Sequence, residues 1–156
     1  MPHQTHLREA IRLAAERSSG GQNGPFGAVV VKDGVVVGRG WNRVVETADP
    51  TAHAEVTALR DASANLGTHD LTGGVIYCSC EPCPMCLSAI YWARIRKVVF
   101  AATAEDAAAA GFDDFRILEE MGLDWAERAV EGTQELRAEG QKVLKAWREN
   151  PRKIQY

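Results

Sequence analysis

The first hydrophobic residues of the chain recur with the period of an α-helix. Leu7, Ala10, Ile11, Ala14 and Ala15 stand at positions i, i+3, i+4, i+7 and i+8, which places them on one helical face. A Ser-Ser-Gly-Gly sequence follows and interrupts the pattern. We therefore expect an amphipathic helix in this part of the chain.

Two runs rich in β-branched residues come next, Phe26–Lys32 and Val35–Arg39, and Asp33-Gly34 joins them. Asp-Gly in a two-residue connection predicts a β-hairpin, because a type I′ turn needs positive φ at both central positions. Neither run alternates clearly between apolar and polar residues. We therefore expect both strands to be buried on both faces.

Helical and strand patterns alternate along the rest of the chain, after an expected loop over 41–49. Helical patterns cover 52–65, 83–93, 104–110, 115–121 and 136–147, and strand patterns cover 75–78 and 97–101. This order predicts an α/β protein, a three-layer α/β/α sandwich with a mixed central sheet. The hairpin strands are antiparallel, whereas helical crossovers allow the later strands to run parallel. The length of 156 residues predicts a single domain, 1–156.

Composition narrows the classes of function. The 18 Lys and Arg residues against 21 Asp and Glu residues give a net charge of −3, whereas nucleic-acid-binding proteins usually carry a basic excess. We expect no nucleic-acid partner. We also expect no membrane span, since no run approaches the ~18 apolar residues that one needs. The chain shows no apolar signal core near its start, so we expect a cytoplasmic protein.

All four cysteines lie within nine residues, at Cys78, Cys80, Cys83 and Cys86. A disulfide framework spreads its cysteines along the chain, so this clustering indicates metal or redox chemistry in a reducing compartment. Cys80, Cys83 and Cys86 also match the start of a ferredoxin-type cluster motif, but the further Cys followed by Pro is missing. We interpret Cys78 and Cys80 as buried residues that do not bind metal.

The sequence Pro-Cys-x-x-Cys at Cys83 and Cys86 follows His-x-Glu at His53 and Glu55. One imidazole and two thiolates supply the three protein ligands of a catalytic zinc site and leave the fourth position open for water. Glu55 is a carboxylate that the metal does not need, so it is free to move protons. A lone Cys-x-x-Cys also suits a redox pair or a structural zinc site. His-x-Glu combined with Pro-Cys-x-x-Cys is the pattern of zinc deaminases that act on nucleobases.

The chain resembles the cytidine/deoxycytidylate deaminase superfamily, and within it the bacterial guanine deaminases. The segments that carry the resemblance are Gly24–Val29, Asp49–Ala58, Cys80–Cys86, Ala89–Arg94 and Ala110–Asp114. The first three also suit tRNA adenosine deaminases, whereas the Phe-Asp-Asp sequence at 112–114 and the terminal Tyr156 indicate guanine or guanosine. The resemblance implies one zinc ion per subunit, held by His53, Cys83 and Cys86.

The resemblance also implies how the remaining residues act. Glu55 carries the proton of the attacking water to the purine ring while C2 of guanine is hydrolysed. Asn42 holds the edge of the base, and Phe26 and Trp92 stack on it. Asp114 assists the departure of ammonia, with Asp113 as the rival residue for this role.

The C-terminal part of the chain carries the remaining expectations. The resemblance implies that a segment over about 133–156, ending at Tyr156, closes an active site, and that it is exchanged between the subunits of a homodimer. Asp114 has an alternative role as the N-cap of the helix that begins at Phe115. The substrate expected is a purine, first guanine. The alternatives are a guanosine deaminase, a tRNA adenosine deaminase and a non-catalytic zinc-binding module.

Overall fold

The structure is a computed structural model that describes residues 2–156. The described residues form two compact units, one that extends to Ile117 and one that covers Leu118–Tyr156. The elements in chain order are α1 (Pro2–Ser18), β1 (Gly27–Lys32), β2 (Val35–Trp41), α2 (Val44–Thr47), α3 (Ala54–Leu66), β3 (Val75–Cys80), α4 (Pro84–Trp92), β4 (Lys97–Ala102), α5 (Ala104–Ala109), α6 (Phe115–Met121), a 3-10 turn (Trp125–Glu127) and α7 (Arg137–Glu149).

The first unit contains a four-stranded sheet in the order β2-β1-β3-β4. β1 pairs antiparallel with both β2 and β3, and β3 pairs parallel with β4. The turn between β1 and β2 has φ of 51° at Asp33 and 78° at Gly34, as the hairpin prediction requires. The predicted mixed sheet is confirmed.

Helices cover both faces of this sheet. α1 packs on one face, where Ala10 and Leu13 meet Val29, Val31 and Tyr77. α3 and α4 pack on the other face around a second cluster of buried side chains: Ala28, Val30, Ala54, Ala58, Leu59, Ala62, Leu71, Ile76, Cys78, Ile90, Ala93 and Ile95. Successive residues of β1 alternate between these two clusters because side chains alternate across a strand. The three-layer α/β/α prediction is confirmed.

β2 departs from its prediction. We expected both faces of this strand to be buried, but β2 lies at the edge of the sheet, and Val35 is 62% exposed. The run of valines reflected β propensity rather than burial. The expected loop over 41–49 is also wrong in part, because β2 extends through Trp41 and the short helix α2 follows.

Two glycines of β2 bring α3 unusually close to the sheet. A Cβ atom at Gly40 would collide with the carbonyl oxygen of Ala54, and one at Gly38 would collide with the carbonyl oxygen of Ala58. Any side chain at either position would push α3 outward. The absence of both side chains therefore fixes the height of α3 above the sheet.

The second unit consists of the end of α6, the 3-10 turn and α7. Within this unit, Arg128 stacks on Trp125 at 4.5 Å from the ring centroid. Val143, Leu144 and Trp147 of α7 have the spacing of one helical face, and all three are exposed. No helix among the described residues combines the length and apolar character that a membrane crossing needs.

Candidate active site

Three metal-binding side chains meet at one point of the first unit. The Nδ1 atom of His53 lies 3.5 Å from the Sγ atom of Cys83 and 3.5 Å from that of Cys86. Tetrahedral zinc with bonds of about 2.3 Å to sulfur and about 2.0–2.1 Å to nitrogen would separate N and S by about 3.6 Å. The donor types and their spacing therefore fit a zinc ion.

Two helix starts position these ligands. His53 is the N-cap of α3, and Cys83 is the N-cap of α4, with Pro84 as the first helical residue. Cys86 lies three residues after Cys83, so both thiols face the same side of α4. The backbone N–H of Cys86 donates to Cys83 Sγ at 3.5 Å. Since helix N-termini carry partial positive charge, this placement favours thiolates.

The electrostatics of the three ligands also suit a cation. Hydrogen bonds from Cys86 and His53 lower the pKa of Cys83 to about 4. The Cys83 thiolate in turn raises the pKa of Cys86, and its hydrogen bond raises the pKa of His53. Cys86 and His53 are thus the ligands that hold protons while no metal is bound, and metal binding to such ligands releases those protons.

Glu55 is the second residue of α3 and is only 6% exposed. Burial raises the pKa of its carboxyl group to about 7. A carboxyl group with a pKa near neutrality both accepts and returns a proton readily. Its position beside the ligand triad is suited to acid–base chemistry at the metal.

A cavity of about 280 Å³ opens onto this site. Its lining brings together residues from six parts of the chain: Phe26, Asn42, His53, Glu55, Cys80, Glu81, Cys83, Ala107, Gly111, Phe112, Asp113, Asp114 and Ile117. This volume lies just below the ~300–1,000 Å³ typical of ligand pockets, which suits a small molecule.

The sheet topology explains why these residues converge. The start of β1 lies beside the ends of β2 and β3, because β1 is antiparallel to both. Phe26 directly precedes β1, Asn42 directly follows β2, and Cys80 is the last residue of β3, so all three lie at the same end of the strands. The ring of Phe26 contacts that of Phe112 edge to face, with centroids 4.9 Å apart.

Asn42 is buried and held by the backbone around it. Its Oδ1 atom accepts hydrogen bonds from the backbone N–H groups of Gly24 and Val44, each at 3.3 Å. The backbone N–H of Asn42 donates to the backbone carbonyl oxygen of Phe26 at 3.1 Å. These bonds fix the orientation of the amide and leave the Nδ2 amino group as the donor at the cavity wall.

The two aspartates after α5 have different partners. Asp113 Oδ1 accepts from the backbone N–H of Phe115 at 3.0 Å, so Asp113 provides the cap that we had considered for Asp114. Asp114 is half-buried, and its pKa is raised, first by burial and then by the negative charges of Cys83, Asp113 and Glu81. Asp114 is thus free of the capping bond and lines the cavity.

A family model of the cytidine and deoxycytidylate deaminase zinc-binding region matches residues 1–102. The chain belongs to this deaminase family. The matched region is a zinc-binding one, and it contains Glu55 and the three side chains arranged to hold a metal ion, His53, Cys83 and Cys86. Among the described residues, no other group of three or more His, Cys, Asp or Glu side chains is arranged to hold a metal ion.

Individual deaminases match over most or all of the chain. Guanine deaminase of Bacillus subtilis is 48% identical over 100% of both sequences, and its crystal structure superposes with a TM-score of 0.96 over 100% of this chain and 99% of that one. The tRNA-specific adenosine deaminase of Haemophilus influenzae is 36% identical over 90% of this chain and 87% of its own. A crystal structure of a complex with 8-azaguanine is 36% identical, with a TM-score of 0.68 over 73% of this chain and 65% of its own.

Trp92 and Tyr156, two of the residues expected in the site, are both exposed. Trp92 is the last residue of α4, 63% exposed, and does not line the cavity. It lies eight positions after Pro84 along the helix, or about 12 Å at 1.5 Å per residue. Tyr156 belongs to the second unit and is 65% exposed.

Two residues to which we had assigned no role also line the cavity. They are Phe112 and Glu81. Their signal was their position in the chain, because Phe112 directly precedes Asp113 and Glu81 lies two residues before Cys83. Cys80 lines the cavity but lies outside the ligand triad, and Cys78 is buried in the core.

Proposed function

We propose that this protein is a zinc-dependent aminohydrolase that converts guanine and water to xanthine and ammonia. The observation that carries the proposal is the buried carboxyl group of Glu55 beside the His53, Cys83 and Cys86 triad, at the inner end of a small cavity. A structural zinc site would not need this carboxyl group. The full-length similarity to a guanine deaminase selects guanine among the bases.

Zinc bound by the triad supplies Lewis-acid chemistry, which lowers the pKa of a water molecule toward neutrality. The protein supplies the proton transfers. Glu55 accepts the proton of the attacking water and returns it to the ring nitrogen next to C2. Its pKa of about 7 supports both steps, since a carboxyl group poised near the working pH transfers protons in either direction.

Asn42 and Phe26 hold the base in this proposal. The Nδ2 amino group of Asn42 donates to an acceptor on the edge of the purine. Phe26, packed edge to face against Phe112, provides an apolar wall for the ring. Asn42 and Phe26 hydrogen-bond to each other through the backbone, so the polar and the apolar contact keep a fixed separation.

Asp114 supplies a second acid at the cavity wall. The exocyclic amine of guanine is a poor leaving group until it is protonated, and a carboxyl group of raised pKa carries a proton more often at neutral pH than an ordinary aspartate does. We assign Asp114 this role rather than Asp113. Asp113 already accepts the backbone hydrogen bond at the start of α6.

We also propose that the protein is a homodimer in which the segment over about 133–156 is exchanged between subunits. The exposed apolar face of α7 supports this assembly, because an exposed apolar surface of that kind needs a protein partner. In the dimer, the segment that ends at Tyr156 closes over the substrate of a partner subunit. We place the enzyme in the cytoplasm, where thiol ligands stay reduced.

The proposed function is tested with a panel of substrates. Zinc-loaded protein is incubated with guanine, guanosine and cytosine, and turnover is followed by ultraviolet spectroscopy and ammonia release. We expect guanine alone to be consumed. Turnover of guanosine without turnover of guanine would replace this proposal with a nucleoside deaminase.

A tRNA adenosine deaminase is the second candidate, because one such enzyme is 36% identical over most of the chain. That activity needs a basic surface, and tRNA binding should then weaken steeply as salt is added. The net charge of −3 argues against it. We expect no tRNA retention at low salt in a filter-binding assay.

A further inference from the structure

The cavity of the proposed active site is acidic. Four carboxyl groups line it, those of Glu55, Glu81, Asp113 and Asp114, whereas its described lining includes no Lys or Arg. The metal site does not offset these groups. Two thiolates and a neutral imidazole together balance the two positive charges of zinc, so the metal has no positive charge left over for the carboxylates of the wall.

Backbone hydrogen bonds hold two of these carboxylates in place. Glu81 Oε2 accepts from the backbone N–H of Ala104 at 3.0 Å, and Asp113 Oδ1 accepts from that of Phe115 at 3.0 Å. Both residues are exposed to solvent, and either side chain would lose its bond if it swung away from its present position. Their negative charges therefore remain at the cavity wall during binding and release.

The substrate and the product differ in charge near neutral pH. Guanine is neutral near neutral pH. Deamination replaces the C2 amino group with a carbonyl group and leaves an acidic N–H beside it, so xanthine in water loses a proton to solvent near neutrality. An anion that enters or remains in an acidic cavity is repelled, while a neutral purine is not.

We propose that Glu81 and Asp113 make the site selective for uncharged purines and promote product release, because they repel the xanthine anion. This inference rests on the proposed function. It assigns a specificity role to two residues that neither bind the metal nor move the reacting protons.

The test measures product inhibition by xanthine in the zinc-loaded enzyme across the pH range in which xanthine ionises and guanine does not. The variants are Asp113→Asn and Glu81→Gln, because Asn and Gln keep an oxygen that accepts the backbone hydrogen bond. Glu105→Gln is the matched control, since Glu105 is exposed and lies outside the cavity lining. Calorimetric titration with xanthine measures product binding independently of turnover.

In the wild-type enzyme the inhibition constant of xanthine should rise with pH, while the KM of guanine stays constant. Each variant should bind the xanthine anion roughly fivefold more tightly than wild type, as expected for one carboxylate removed from a partly solvated wall. Added salt should tighten xanthine binding to wild type and have less effect on the Asp113→Asn and Glu81→Gln variants. Glu105→Gln should match wild type.

The outcomes separate this inference from the function on which it rests. Guanine turnover together with the same pH profile and salt response in wild type and both variants would overturn the inference and leave the function intact. Absence of guanine turnover would refute the proposed function and the inference with it. If one variant does not fold, the other variant and the salt response of the wild-type enzyme still test the inference.

Discussion

Replacing Gly40 with alanine should damage the active site through the backbone of α3. The new Cβ atom would collide with the carbonyl oxygen of Ala54 and lie 2.9 Å from the Cα atom of Ala58. Ala54 stands between His53 and Glu55, so relief of the clash must shift both functional side chains. A shift of about 1 Å in a catalytic group costs about 100-fold in rate, and overpacking of this kind costs about 1–3 kcal/mol of stability.

The assay compares thermal unfolding, zinc content and kcat on guanine for three glycine variants. Gly20→Ala is the neutral control, because a Cβ atom there meets nothing within 4 Å. Gly27→Ala is the second control, since its Cβ atom would collide with the carbonyl oxygen of Ala10 on α1, on the opposite face of the sheet. It should lower stability while kcat per zinc-loaded protein falls far less. A Gly40→Ala enzyme with unchanged kcat would refute the claim that this glycine sets the height of α3.

Four further predictions concern the site and the assembly. Glu55→Gln should lower kcat by about 10²–10⁴-fold, because the proton carrier is lost. Its zinc content, measured by elemental analysis, should stay at one per chain. The control Cys80→Ser should also keep one zinc per chain. Asp114→Asn should lower kcat on guanine by more than Asp113→Asn does; the reverse order would exchange their roles. Chelation should abolish activity and lower the melting temperature, because zinc binds only the folded chain, and added zinc should restore both. Leu144→Asp should shift the mass measured by light scattering from dimer to monomer; an unchanged mass would exclude the α7 face from the interface.

The chemistry of the site was readable from the sequence because its information is local. His53 and Glu55 stand at the start of one helix, and Cys83 and Cys86 at the start of another, and helix starts leave marks in sequence such as Pro84. Metal ligands also have few substitutes, so their types and spacing are specific. The hairpin was equally local, since positive φ at Asp33 and Gly34 has a strong residue preference.

Contacts between distant segments were not readable in this way. Burial of β2 depended on its place at the sheet edge, which strand propensity does not encode. The edge-to-face contact of Phe26 with Phe112 joins residues far apart in sequence. The choice between Asp113 and Asp114 was not readable either, although it is local. The geometry of the turn before α6 decides which of the two carboxylates reaches the N–H of Phe115, and that carboxylate is Asp113.

The sequence by itself determined the candidate metal ligands, the carboxylate of Glu55 beside them and the α/β architecture, because each depends on residue types at short spacing. The tertiary structure decided which side chains line the cavity. β1 runs antiparallel to both of its neighbours, and this arrangement places Phe26, Asn42 and Cys80 at one edge of the sheet. It also left Trp92 about 12 Å along α4 from the ligand end, since a helix rises 1.5 Å per residue. The shape and the negative charge of the cavity arise only where several segments of the chain come together, so no single segment predicts them.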